Sequence, residues 1–317
     1  MDIDPESTGY GYYPRTMIRL ATIAYMSMSE IPAAVRSLGL NVVWGPAELV
    51  KDGEAYSAMF VCMRNDPREY TTVIRGTNLM SWWSWTSEDF DIGTMKPFNL
   101  LAPHAPSNAL VSEGTFNGIT DLLALRDPKT GAGVVDFLRA ANPQSLFVTG
   151  HSLGGTLTPP LFALLNDLLY GSRPVANMTL WSFAGLTPGD GGFNTYFNTL
   201  FNPGFPWRLH NTLDIAPFCW WSYGDIENVY ARYNLRWDSL DKALFDDLFA
   251  QAKGNGYAQP RGDLALPGTF STWGLDPYIW ELQAIYQHHT STYQILVDTA
   301  YPSAQELAGL DLGPKIE

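Results

Sequence analysis

The chain has 317 residues, of which 46% are hydrophobic and 16% charged, enough apolar material for one large α/β core or two modest ones. A formal net charge of −13 excludes the Lys/Arg surplus that nucleic-acid phosphates demand. The same acidity disfavours charge-driven adsorption to anionic lipid, so any lipid interface must be met through apolar contact.

The first residues, Met1-Asp2-Ile3-Asp4-Pro5-Glu6, lack the basic and apolar regions of a secretory signal, and no apolar run reaches membrane-spanning length. The expectation is a soluble protein with no transmembrane segment, either cytoplasmic or secreted with its signal already removed. Residues 14–29 place Ile18, Ala21, Ala24 and Tyr25 at helical spacing and predict an amphipathic helix. Residues 56–63 and 69–74 read as strands separated by the turn signal Asn65-Asp66-Pro67, and the second runs straight into Arg75-Gly76-Thr77. Two cysteines, Cys62 and Cys219, are too few for a disulfide framework, and two buried thiols are favoured over the single bridge they allow.

Trp82, Trp83 and Trp85 follow, ahead of the acidic Glu88-Asp89-Phe90-Asp91. Aromatics this dense beside polar residues suit a surface that is alternately buried and wet, so a mobile lid is weighed above a core-packing segment. A proline-rich loop at 97–108 leads to helices at 117–125 and 134–141 and a strand at 145–149.

That strand opens Gly150-His151-Ser152-Leu153-Gly154, a G-x-S-x-G elbow between a strand and an apolar helix, which proposes Ser152 as a nucleophile. The spacing has a steric reason. A serine on a sharp turn holds strained backbone, and glycines two residues either side let strand and helix pass closely. The free N–H of Leu153 and the positive end of the helix dipole then face an oxyanion forming on a substrate carbonyl. The bare pattern recurs by chance in on the order of one chain in ten, and the strand-then-helix setting removes most such cases.

After the elbow, 156–169 reads as helical, but Pro159-Pro160 lies well inside it. Proline is comfortable only in a first turn, so a break is expected there, or a second helix starting at Pro159. A strand at 177–183, a helix at 190–201 and a strand at 207–210 continue the alternation, which implies a largely parallel sheet with the site off its carboxyl edge. Residues 223–279 are less regular apart from an amphipathic helix at 239–252. The whole, 1–317, is read as a single α/β-hydrolase domain: a mostly parallel central sheet flanked by helices, with a lid and loop region at about 78–108 and a helical or irregular cap-like insertion at about 223–279.

A serine nucleophile needs a base, and the base needs an orienting carboxylate, in the chain order Ser, Asp, His. Of five histidines, His151 lies inside the elbow and His104 and His210 come too early, which leaves His288 or His289. Asp214, a lone acid after an apolar strand and shortly before Pro217, is the favoured carboxylate over its reading as a simple turn residue. No Cys/His cluster suggests a metal, and the chemistry requires no organic cofactor.

Four segments together resemble the class 3 lipase family of α/β-hydrolases: Val73-Ile74-Arg75-Gly76-Thr77; Gly150 to Gly155; Phe183-Ala184-Gly185-Leu186-Thr187-Pro188-Gly189-Asp190; and Asn211 to Pro217 with Trp220. The resemblance implies Ser152 as nucleophile, Asp214 as acid, Thr77 and Leu153 as oxyanion donors, and Trp82, Trp83 and Trp85 in the position of the family's lid. Gln287-His288 followed by Tyr293 is similar to the family's C-terminal pattern, which favours His288 over His289 as base. The expected reaction is hydrolysis of acylglycerol esters through an acyl-enzyme. Alternatives are a soluble esterase, a phospholipid acyl hydrolase, or, in another class, a non-catalytic acyl-binding protein.

Overall fold

Helices α1 (Tyr12–Ile23) and α2 (Ile31–Ser37) precede three antiparallel strands, β1 (Asn41–Lys51), β2 (Glu54–Arg64) and β3 (Glu69–Ile74). A short ribbon of β4 (Met95–Pro97) and β5 (Leu110–Ser112) leads into α3 (Glu113–Ala124) and α4 (Val134–Ala141). Strand and helix then alternate through β6 (Ser145–His151), α5 (Leu153–Tyr170), β7 (Met178–Phe183), α6 (Gly191–Thr199) and β8 (Trp207–Asn211). After them come α7 (Tyr223–Asn228), α8 (Ser239–Ala252), β9 (Asp263–Leu266), α9 (Trp280–His288) and α10 (Thr290–Ala300). The structure is a computed structural model and describes residues 12–51, 54–64, 68–76, 91–200, 207–271 and 279–302.

One seven-stranded sheet, in the order β1-β2-β3-β6-β7-β8-β9, organises the molecule. The pairs from β3 to β9 are parallel and those joining β1, β2 and β3 are antiparallel. Alternation along the strands sends side chains to two cores. Met59 and Val61 of β2 share one core with Leu157, Leu161 and Phe162 of α5, while Phe60 and Cys62 share the other with Ile18 of α1 and Val297 of α10. A third apolar cluster, built from Leu213, Ile215, Trp220, Tyr230, Phe245 and Trp280, gathers the segment after β8 with α7, α8 and α9.

The structure departs from the sequence reading where local signals were overruled. α1 ends at Ile23 rather than near 29, because Ser27 donates from Oγ to Glu30 Oε2 (2.6 Å) and closes a turn in place of another helical one. α2 and β1 have no counterpart in the sequence reading; β1 is an edge strand and takes Pro46 in a register shift between Trp44 and Ala47.

The expected break at Pro159-Pro160 is absent. α5 runs unbroken for 18 residues through both prolines. The carbonyl of Gly155, which Pro159 cannot serve with an N–H, instead accepts a hydrogen bond from Ser182 Oγ of β7 (2.8 Å). Residues 223–279 contain α7 and α8 and also β9, which completes the main sheet beside β8. Cys62 and Cys219 are free, buried thiols, and burial pushes the Cys62 thiol up to about 12.

Candidate active site

β6 ends at His151, and the chain reverses into α5 through Ser152, whose φ of 60° and ψ of −125° lie in strained territory for a residue with a side chain. Such a conformation costs on the order of 1–3 kcal/mol and persists only where its surroundings enforce it. Here Ser152 N–H donates to the Phe183 carbonyl of β7 (3.0 Å). A Cβ on Gly150 would collide with the Gly154 carbonyl, and one on Gly154 would come within 2.5 Å of the Ile74 carbonyl of β3. Those two glycines therefore let β3, β6 and α5 close on one another. Leu153 is the first residue of α5, so its N–H has no intrahelical acceptor and stands at the positive end of the helix.

Ser152 Oγ lies 2.8 Å from His288 Nε2, and His288 Nδ1 lies 2.9 Å and 3.1 Å from the two carboxylate oxygens of Asp214. All three residues are buried. Because an ionised carboxylate only accepts, the imidazole proton sits on Nδ1, and Nε2 presents a lone pair to the serine hydroxyl. The elements that deliver the triad are separate: the elbow carries Ser152, the turn after β8 carries Asp214, and the last residue of α9 carries His288. The turn is tied locally, since Asn211 Oδ1 accepts from Leu213 N–H (3.0 Å) and Asp214 N–H donates to the Asn211 carbonyl (2.9 Å).

The Asp214 carboxylate accepts from more than the imidazole. Tyr293 donates its hydroxyl to Oδ2 (2.7 Å), and Ala216 donates its N–H to Oδ1 (3.0 Å). Burial, and then the Asp214 charge, push the Tyr293 phenol well above its ordinary value, so it stays a donor. Its oxygen also accepts from Asn211 N–H (3.0 Å). Asn211 Nδ2 in turn reaches the carbonyl and Oε1 of Gln287, which fixes the last turn of α9 against the end of β8.

His289, the other candidate base, points elsewhere. It caps α10, where its Nδ1 accepts from Ser291 N–H (3.1 Å). Thr77, Trp82, Trp83 and Trp85 lie outside the described residues. The side chains to which sequence reasoning gave no role at the site are Asn211, His151 and Tyr25, with Gln287 and Tyr293 noted only as part of a pattern. Each works through a bond spanning 76 residues or more, so no local spacing marks it.

No family model and no curated protein sequence matches the chain. Solved structures do. The M37 lipase superposes with a TM-score of 0.73 at 24% identity over 90% of this chain and 92% of that one. The chain has a lipase fold. Yarrowia lipolytica LIP2 lipase matches with a TM-score of 0.56 at 15% identity, covering 84% of this chain and 81% of its own. A triacylglycerol lipase whose catalytic centre is a serine-protease triad matches at 0.51 and 18% identity, over 67% of this chain and 74% of that one. The parallel sheet, the strained serine between β6 and α5 and the buried Ser152-His288-Asp214 triad are thus set in a lipase fold. Among the described residues, no helix is long and apolar enough to cross a membrane.

Proposed function

We propose that this protein is a serine carboxylic-ester hydrolase of the class 3 lipase type that cleaves acylglycerol esters. The observation that carries the reading is the continuous line from Ser152 Oγ through His288 to the buried Asp214, set at the N-terminus of α5.

In the first half-reaction His288 Nε2 takes the Ser152 proton as Oγ attacks the ester carbonyl. The oxyanion faces the Leu153 N–H, and Thr77, which follows Gly76 in the chain, is the proposed second donor. The imidazolium, stabilised by Asp214, then protonates the departing alcohol and leaves an acyl-enzyme. Water attacks in the second half, its proton goes to His288, and collapse returns the proton to Ser152 and releases the fatty acid. The chemistry needs no metal or organic cofactor. Trp82, Trp83 and Trp85 are the proposed lid, and their indoles suit a transient lipid interface better than the acidic surface does.

A complete triad argues against a merely acyl-binding protein, which has no use for a proton relay. The test is hydrolysis of chromogenic esters of increasing acyl length, with and without an emulsion. Ser152→Ala is expected to lose on the order of 10⁴-fold or more in turnover, and turnover by that variant at the wild-type rate refutes the proposal. Preference for short monomeric esters with no gain from an emulsion replaces lipase with soluble esterase, and cleavage confined to phospholipid redirects the substrate class.

A further inference from the structure

The residue before the nucleophile makes contacts that the triad does not explain. His151 is wholly buried, and its two ring nitrogens are both engaged. Nε2 lies 2.8 Å from the backbone carbonyl of His288, and Nδ1 lies 3.1 Å from the hydroxyl of Tyr25, just beyond the end of α1. The tautomer follows by elimination. A carbonyl only accepts, so Nε2 carries the proton. Burial, and then the neighbouring His288, hold His151 well below the ordinary imidazole value, so it is neutral and Nδ1 is an acceptor. Tyr25, whose phenol burial pushes well above its ordinary value, is therefore the donor at Nδ1, with the His151 carbonyl at 3.3 Å a second, longer acceptor for the same proton.

The direction of the chain is thus fixed: Tyr25 O–H to His151 Nδ1, then His151 Nε2–H to the carbonyl of His288. That carbonyl belongs to the last residue of α9. The Tyr25 hydroxyl is also wedged against the end of β3, since a Cβ on Gly76 would collide with it and with the His151 carbonyl. Gly76 immediately precedes Thr77, the proposed oxyanion donor.

We propose that Tyr25 and His151 form a positioning relay that locks the backbone of the base, His288, to the nucleophile elbow. The inference rests on the hydrolase reading and adds two residues to it. The rings of His151 and His288 are 4.9 Å apart, so the relay has a second consequence. A proton on His151 sets a cation beside the imidazolium that His288 becomes during turnover. With Tyr25 occupying Nδ1, that proton has no place to bind without breaking a hydrogen bond. Among the described residues, the ionisable groups around His151 are Tyr25 and, beyond it, Arg75 just after β3; His288 and His289 at the junction of α9 and α10; Tyr293 on α10; and Asp214 across His288.

The test uses the full chain, with active serine counted by a fluorophosphonate so that every rate refers to competent enzyme. Tyr25→Phe, which deletes one oxygen, is expected to lower kcat about tenfold with KM within twofold, and to move the acid limb of the kcat profile to higher pH. His151→Leu is expected to lower kcat about 100-fold, and His151→Gln, which can both accept from Tyr25 and donate to the His288 carbonyl, to recover at least a third of wild-type kcat. Unchanged kcat and pH profile in Tyr25→Phe, or a His151→Gln variant no better than His151→Leu, overturns the relay while leaving the triad intact. A wild-type protein that neither labels nor turns over ester overturns the hydrolase reading and the relay with it.

Discussion

Two clusters in this molecule contain the same three residue types, serine, histidine and aspartate, and they are wired differently. At the carboxyl edge of the sheet, Ser152 meets the imidazole of His288 and the imidazole meets Asp214. On the flank of α5, His104 Nδ1 and Ser172 Oγ both converge on one carboxylate oxygen of Asp167, at 2.7 Å and 2.5 Å. The histidine–aspartate distance does not separate them, because 2.7 Å and 2.9 Å are both ordinary for such a pair.

Order and burial do separate them. Ser172 donates to the acid, so no base draws on its hydroxyl, and the His104 side chain is 67% exposed against 1% for His288. A charge on the exposed imidazole is screened by water, whereas a charge on the buried one is met by the Asp214 carboxylate. The cluster on α5 is a structural clamp between the 98–109 loop and the end of the helix. Proximity of the right residues is not catalysis; the sequence of donors is.

Breaking each cluster tests the contrast. Asp214→Asn keeps the shape but offers the imidazole an amide in place of a carboxylate, and turnover is expected to fall about 10⁴-fold, as assayed on a soluble chromogenic ester. Tyr293→Phe removes one donor from that carboxylate and is expected to lower kcat roughly 10- to 100-fold, the range that about 1.5–3 kcal/mol for a hydrogen bond to a charged group implies. Asp167→Ala is expected to leave ester turnover per labelled serine unchanged. It removes the shared acceptor of His104 and Ser172, but His104 is exposed and Ser172 keeps the Tyr196 hydroxyl (2.7 Å), so it is expected to cost only about 1 kcal/mol of stability, read as a drop of a few degrees in the thermal midpoint.

The smallest effect concerns a carboxyl in neither cluster. Burial, with Asp238 and Glu281 adding to it, pushes Asp241 at the start of α8 up to about 6. The folded state then holds a proton that the unfolded chain releases near 4, so this group's contribution is full below pH 4 and is lost as pH rises through 6. Asp241→Asn keeps an acceptor for the Asp238 N–H and is expected to raise the thermal midpoint slightly at pH 8 and not at pH 4.

How much of this was legible beforehand follows the range of the interactions. The elbow is a local steric solution, so Gly150, Ser152 and Gly154 announce it in five residues. Asp214 and His288 were reachable by order along the chain and by resemblance. α4 and α8 were readable from spacing, because amphipathic helices carry their own periodicity. The prolines of α5 were not, since the hydroxyl that satisfies Gly155 comes from Ser182 on another strand. β9 has only four residues, and its partner β8 lies more than fifty positions upstream. Tyr25 and His151 are 126 residues apart, and only the closed fold makes them neighbours.

Among the described serines, Ser152 is the one proposed to be activated, through His288. The direct measurement is labelling of the intact protein with a fluorophosphonate, followed by peptide mapping. One equivalent of label on the peptide holding Ser152, with none on Ser172 and a parallel loss of esterase activity, is the predicted result. Label on a different serine, or ester hydrolysis that survives full modification of Ser152, contradicts the account.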